Sequence, residues 1–253
     1  MPSRCVAWGS SMGERQRVDR AAAFVLHAYP YSETSLLVEG FTRTHGRLPW
    51  IAKGARRAGS PLRGALLSFQ PLQISWSGRG EVRTLARCEW QGGQPFLKGD
   101  ALLFGFYLNE LLLRLLQRED PHEALFDHYT DAVARLAREA ETAPILRGFE
   151  RLLLKEVGYA LTLDRDAETG APIDPERLYR YEMDRGPVKA GNGSRRDESP
   201  VFPGRALLAI ARDDYADPLT AQLAKQLMRL AINRRLDHQS LHSRAIFREL
   251  ASL

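Results

Sequence analysis

LQISWSGRGEVRTLARC, residues 72–88, is the stretch whose reading decides the fold of the N-terminal third. Leu72, Ile74 and Trp76 alternate with Gln73, Ser75 and Ser77, the period of two expected of a half-buried strand. Gly78-Arg79-Gly80 then supplies a flexible turn, and residues 82–88 alternate back. The stretch therefore predicts a hairpin with its turn marked. Outward from it, residues 23–29 read as a strand that ends at Pro30. Residues 35–41 read as a second, and residues 46–52 as a third, closed by a loop at Gly54. Some five short strands with no helix-length apolar period between them predict a small closed barrel rather than a parallel α/β unit.

Beyond Gln91-Gly92-Gly93-Gln94-Pro95 the period changes to that of helices. Asp100 is placed as N-cap of a helix over residues 101–117, apolar on most faces and so expected to be central. Asp120-Pro121-His122-Glu123 has the form of a capping box, with Asp at N-cap, Pro at N1 and Glu at N3. Pro144 is read as the start of another helix that Gly158 ends, Asp217-Pro218 as a further start, and Ser243 as the cap of the last helix. Residues 163–203 are polar and rich in Gly, Pro and charge, with residues 190–196 as the candidate mobile loop. The expected fold class is α+β: an N-terminal OB-fold β-barrel over residues 20–90, then an all-α helical domain over residues 96–253 with an irregular loop insertion at about residues 163–203. Residues 1–19 lack an apolar signal region and are read as a poorly ordered extension, with Met12 as an alternative start.

The chain has 253 residues, ample for a core, and a net charge of +5 that is unevenly placed. From Arg20 to Cys88 there are ten Lys/Arg against three Asp/Glu, or +7, whereas from Glu89 onward there are 23 against 26, or −3. A basic segment joined to a balanced one points to a polyanion partner for the basic part. The most apolar run, residues 101–116, is interrupted by Glu110 and Arg114 and falls short of a membrane span. Two cysteines, Cys5 and Cys88, make no disulfide framework, so a reducing cytoplasm is expected.

Residues with catalytic or metal-binding spacing are few. The glycines of residues 59–64 have the wrong spacing for a phosphate-binding loop, and no GxSxG elbow is present. His238 and His242 are four apart but lack the Glu of a metalloprotease motif. Asp164, Asp166 and Glu168 resemble the opening of a calcium loop, but Gly170 falls one place late, so a solvated acidic turn is expected. Asp213-Asp214 is a weak catalytic pair. The chain is thus expected to be non-enzymatic, with no cofactor and no metal.

The basic residues, by contrast, cluster. Arg43 and Arg47 lie on one loop; Lys53, Arg56 and Arg57 on a second with Gly54 and Gly59; Arg79 and Arg83 flank a third; Arg63 stands nearby. Three such loops on one barrel are expected to follow a phosphate backbone and gain affinity by counterion release. Trp50 and Trp76, with Phe69 beside them, are candidate base-stacking platforms. No base-reading pattern is visible, so binding independent of sequence is expected.

Several short stretches, taken in order, then resemble one family. Phe24-Val25-Leu26-His27, Tyr31 to Leu36, Ala52 to Arg56, Leu62 to Leu66 and Gly78 to Val82 are similar to the N-terminal domain of the RecO recombination mediators. Tyr107 to Leu112, Leu146 to Glu150, Val157-Gly158-Tyr159, Tyr179-Arg180-Tyr181 and Ser243 to Arg248 are similar to its C-terminal part. The resemblance implies an OB-fold and a helical domain that bind and anneal single- and double-stranded DNA, contact the acidic C-terminal tail of single-stranded-DNA-binding protein, and with RecR load RecA, at the nucleoid. It also implies that Arg147, beside Phe149 and assisted by Arg151 one turn on, grips that tail. Some family members hold zinc through four cysteines in the insertion; residues 163–189 here contain none. The alternatives are an RNA-binding OB-fold protein, which DNA–RNA competition separates, and a non-catalytic protein-interaction adaptor, which would bind no oligonucleotide at low salt.

Overall fold

The computed structural model describes residues 16–191, 200–236, 239 and 241–250. Residues 1–15, including both candidate starts, and residues 192–199, most of the expected mobile loop, lie outside the described residues. The chain divides into two compact units that meet in sequence at Gly92 and Gly93.

The first unit comprises β1 (Gln16–Tyr31), β2 (Ser35–Thr42), β3 (Gly46–Ala52), α1 (Pro61–Ala65), β4 (Leu72–Gly78) and β5 (Arg83–Trp90). The strands close into a barrel in the order β1-β2-β3-β5-β4, every pair antiparallel except β3 with β5. That order, with the short helix between β3 and β4, is the OB arrangement. Closure depends on β1. Its first half pairs with β4 (Ala21 with Ile74) and its second half with β2 (Tyr29 with Leu37). Register shifts after Val18 and after Val25, and a positive φ of 58° at Arg20, let one strand turn between two neighbours.

The expected extension over residues 1–19 is corrected at its C-terminal edge. Gln16, Arg17 and Val18 pair with Gly78, Ser77 and Trp76, and Val18 packs against the barrel core. The segment Arg17-Val18-Asp19-Arg20 has too little apolar alternation to announce a strand; the unpaired backbone of β4 recruits it. The predicted hairpin is β4–β5, with Gly80 at a φ of 84° in its turn.

Val25, Val38, Leu48, Trp50, Leu72, Ile74, Trp76 and Leu85 fill the barrel. The rings of Trp50 and Trp76 lie 5.8 Å apart. Gly40 leaves the room Trp50 needs: a Cβ at residue 40 would sit 1.8 Å from a carbon of the Trp50 ring.

The second unit holds α2 (Asp100–Leu115), α3 (Glu123–Leu136), α4 (Thr142–Glu156), β6 (Leu178–Glu182), β7 (Gly186–Lys189), β8 (Val201–Pro203), α5 (Gly204–Ala211), α6 (Pro218–Arg235) and α7 (His242–Leu250). Leu108, Leu111, Phe149, Leu153, Leu207, Leu227 and Ile232 are buried. The Tyr129 hydroxyl donates to Asn109 Oδ1 at 2.6 Å, so the two buried polar groups satisfy each other.

The stretch expected to be irregular contains a three-stranded sheet in the order β7-β6-β8. Tyr179, Tyr181 and Phe202 are the large side chains it buries, with Val188 beside them. Their alternation with Leu178, Arg180 and Glu182 is too short to stand out from a charge-rich background. The helix starts also differ from expectation except one. Asp217 caps α6 as predicted, accepting from Thr220 N at 2.9 Å and Thr220 Oγ1 at 2.8 Å. Asp100 is instead the first residue of α2. α3 begins at Glu123 behind His122, with no capping bond from a side chain. Ser243 lies inside α7, and its N–H and hydroxyl donate to Glu110 of α2 at 2.9 and 2.7 Å. Burial alone would raise the Glu110 carboxyl, but the bonds from Ser243 and His242 outweigh it and hold it below its ordinary value.

Gly40→Ala is expected to cost about 2–3 kcal/mol or more in urea denaturation, since the Trp50 ring has no room to retreat. Gly64→Ala, whose new Cβ meets nothing within 4 Å, is expected to be neutral or slightly stabilising.

Candidate nucleic-acid interface

The strand directions divide the basic residues between the two ends of the barrel. β2 and β4 run against β1, while β3 and β5 run with it. The β1–β2 turn and the connection leaving β3 are therefore at one end, and the β2–β3 and β4–β5 turns at the other. Lys53, Arg56 and Arg57 are exposed at the first end, and Arg63 is exposed on α1 in the same connection. Arg43, partly buried, and Arg79, exposed, belong to the second. The three basic loops do not form one cluster.

At the first end the loop is anchored as well as charged. Arg56 N donates to Thr34 O at 2.9 Å, and Arg56 Nη1 donates to Ser32 O at 3.0 Å. The connection after β3 is thereby tied to the β1–β2 turn. Gly54, at a φ of 71°, lets the chain turn sharply enough for Arg57 N to donate back to Gly54 O at 3.1 Å. Three cations are thus carried on a short, braced loop. At the second end, Thr42 Oγ1 donates to Gly46 O at 2.9 Å and accepts from His45 N at 3.1 Å. The His45 ring meets Trp76 edge-on at 5.1 Å, and burial lowers its pKa.

Several expected contacts are corrected by burial. Trp50 and Trp76 are each only 1% exposed, and Phe69 3%, so none offers a face to a base. Hydrophobic transfer claims large rings for a barrel interior before any ligand can. Arg47 is ion-paired with Glu39 at 3.0 Å, their side chains 14% and 8% exposed. Arg83 is buried too. Neither is available to a phosphate in this conformation. The aromatic rings that do reach solvent on the barrel include Tyr29 and Tyr31, missed in the sequence because a strand of mixed polarity reveals its outer face only when its register is known.

In the second unit, Phe149 is fully buried, its ring stacked against His128 at 6.3 Å and edge-on to Tyr129 at 6.2 Å. Arg147 Nη1 lies 2.8 Å from Glu150 Oε2, and Glu150 also accepts from the Tyr107 hydroxyl at 2.5 Å. Arg244 Nη2 donates to that same hydroxyl at 3.2 Å. Burial holds the Glu150 carboxyl above its ordinary value even with Arg147 pulling it down. Arg147 and Phe149 therefore serve the interior, because an (i, i+3) pair on an inward helix face meets its partner before any ligand. Arg151 is the exception: it is a third exposed and bound to Asp213, its Nε 2.9 Å from Oδ1.

Other groups singled out in the sequence have structural employment. Asp166 is buried, not solvated, and its Oδ1 accepts from the N–H groups of Glu168 and Thr169 at 2.8 and 3.1 Å. Asp213 also accepts from the Tyr215 hydroxyl at 2.8 Å. His238 lies outside the described residues. The insertion has no cysteine to offer zinc, and among the described residues no three His, Cys, Asp or Glu side chains are grouped to hold a metal ion, so the donor set does not fit that metal. Among the described residues, no helix is long and apolar enough to cross a membrane.

A closed five-stranded barrel of OB type with a helical second unit defines the class. Comparison with known proteins agrees for both parts. The profile of Recombination protein O N terminal matches residues 17–93, and that of Recombination protein O C terminal matches residues 97–245. A DNA repair protein RecO from Nitrosospira multiformis is 50% identical over 240 residues, covering 95% of this chain and 99% of that protein. Another from Aromatoleum aromaticum is 50% identical over 243 residues, covering 96% and 100%. The chain belongs to the RecO family of DNA repair and recombination proteins.

Arg147→Met is expected to destabilise the fold by on the order of 3 kcal/mol in urea denaturation, because it strands the buried Glu150 carboxyl. The loss should be larger at pH 8 than at pH 5. Without the guanidinium the Glu150 pKa rises further, the native state then holds a proton that the unfolded chain has released, and stability falls as pH rises.

Proposed function

We propose that this chain binds single- and double-stranded DNA through the barrel, without regard to sequence. In this reading it anneals complementary strands and, with RecR, helps RecA onto DNA coated by single-stranded-DNA-binding protein. The observation that carries the reading is the braced loop of Lys53, Arg56 and Arg57, three exposed cations tied to the β1–β2 turn by Arg56. Cations held on a short loop neutralise phosphates with little further ordering, and each neutralised phosphate releases counterions. Arg63 beside them, with Arg43 and Arg79 at the other end of the barrel, extends the same electrostatic attraction to a second strand. Screening two phosphate backbones at once is what annealing requires; no bond is made or broken in it.

For the coating protein's acidic tail, Arg151 is the proposed contact, since Arg147 and Phe149 are turned inward. An incoming carboxylate would replace Asp213 on the guanidinium, an exchange of like partners with a small energetic cost. The reading also places the chain in the cytoplasm at the nucleoid, where a half-buried Cys88 would remain reduced, its thiol pushed up to about 11 by burial and by Glu89.

The deciding experiment is annealing of complementary strands coated by their binding protein, with and without its acidic tail. Acceleration by this chain that depends on the tail supports both halves of the reading. In direct binding to a single strand, Arg56→Glu with Arg57→Glu is expected to weaken affinity and to reduce the slope of log K against log salt by about 1.4, two phosphates at ~0.7 each. An unchanged slope would mean that the phosphates lie elsewhere.

A further inference from the structure

The outer face of β1 carries a feature that the basic loops leave unexplained. After the register shift between Val25 and His27, the strand sends His27, Tyr29 and Tyr31 outward, while Ala28 between them packs on the barrel core. Tyr29 is 46% exposed and Tyr31 48%. The His27 and Tyr29 rings lie 4.2 Å apart, tilted 56° to one another, so the first two members already touch. Across the ladder, Tyr29 is opposite Leu37, which is opposite Ile51 on β3, and Tyr31 is opposite Ser35. Leu37 and Ile51 are half-buried. Three successive outward positions of one strand are thus aromatic: Tyr29 and Tyr31 stand opposite aliphatic and small side chains, and His27 stands opposite Glu39, which Arg47 neutralises. Scattered exposed rings need no explanation, but an ordered row of them beside a cationic loop does.

The row ends at the braced loop. Ser32 and Thr34 in the turn after Tyr31 are the residues whose carbonyls hold Arg56, so Lys53, Arg56 and Arg57 stand at the same barrel end as Tyr31. Glu33 is the acid in that turn. Rings for flat apolar faces, with cations at their end, match the two chemistries of an unpaired nucleic-acid strand. The face also adjoins β2 and β3, the region of OB barrels suited to oligonucleotides. Alternate residues of a strand are about 6.6–6.8 Å apart, twice the ~3.4 Å step of a stacked duplex. Bases meeting Tyr29 and Tyr31 must therefore come from an extended strand whose faces are free, which a duplex does not offer.

We propose that Tyr29 and Tyr31 are base-stacking platforms for an unpaired DNA strand whose phosphates run over Lys53, Arg56 and Arg57. This rests on the DNA-binding reading and adds a preference to it: the barrel grips a single strand more tightly than a duplex of equal length. The aromatic contribution that Trp50 and Trp76 cannot make is supplied from the outside of the barrel.

The test uses the full chain with a fluorescent single-stranded oligonucleotide, a duplex of the same length, and a single strand of abasic sites. Tyr29→Ala with Tyr31→Ala is expected to lower affinity for the normal single strand by at least about tenfold. Affinity for the duplex and for the abasic strand should change by no more than about twofold. Retained affinity for the last two also demonstrates that the variant is folded. Tyr29→Phe with Tyr31→Phe should keep single-strand affinity, since the ring face makes the contact. Undiminished single-strand binding by the alanine variant, or an equal loss on all three ligands, overturns the stacking site and leaves the basic-loop reading in place. If the unaltered chain binds none of the three, that reading fails and the stacking site with it.

Discussion

Trp50 fits inside the barrel because residue 40 has no side chain, and much of the first unit follows from that fit. The ring occupies the space over Gly40 and meets Trp76, while Val38, Leu48 and Ile74 pack in the same interior. A small closed barrel has room for few large groups, and filling it with two indoles leaves nothing inside for a ligand. Whatever this unit binds, it must bind on its outer wall and at its ends. Closure imposes the second constraint. Because β1 serves β4 with its first half and β2 with its second, His27, Tyr29 and Tyr31 are held in register by the ladder with β2.

Charge obeys the same division between inside and outside. The net +7 of residues 20–88 suggests one continuous cationic surface, but the barrel spends part of it internally. Arg47 neutralises Glu39 in a nearly dry setting, and Arg83 is drawn into the wall where β5 meets β3. A buried carboxylate without a counter-charge is far costlier than a surface cation without one, so an arginine within reach goes to the interior. What remains outside is sorted by strand direction into two groups, of which the one around Arg56 is braced by hydrogen bonds to the β1–β2 turn.

The helical unit shows the same economy in different material. Tyr107, Glu150, Arg147 and Arg244 form a connected polar group within an apolar bundle, joined by two hydrogen bonds at the Tyr107 hydroxyl and by the Arg147–Glu150 ion pair. Glu110 performs for α7 what a local cap performs elsewhere, accepting from Ser243 and His242 across the bundle. Such carboxylates tie together helices distant in sequence, and their partners are side chains that a linear reading assigns to the surface. Arg151, paired with Asp213 at the boundary of solvent, is the member of its helix left able to exchange its partner.

The barrel, the change to helical period near residue 93, the marked hairpin at Gly78-Arg79-Gly80 and the cap at Asp217 were all legible in sequence, because each is written in neighbouring residues by alternation, turn chemistry or a capping side chain. The excess of cations in residues 20–88 was equally legible, since charge is additive and needs no geometry. Tertiary structure alone decided which side chains face out. Trp50, Trp76 and Phe149 read as ligand contacts and are core, whereas Tyr29 read as an ordinary strand residue, Tyr31 lay beyond the expected strand end at Pro30, and both are exposed on β1. The physical reason is register. A period of two specifies that a strand has two faces, but only pairing with its neighbours, bulges included, determines which face closes on the interior and which is left for a partner.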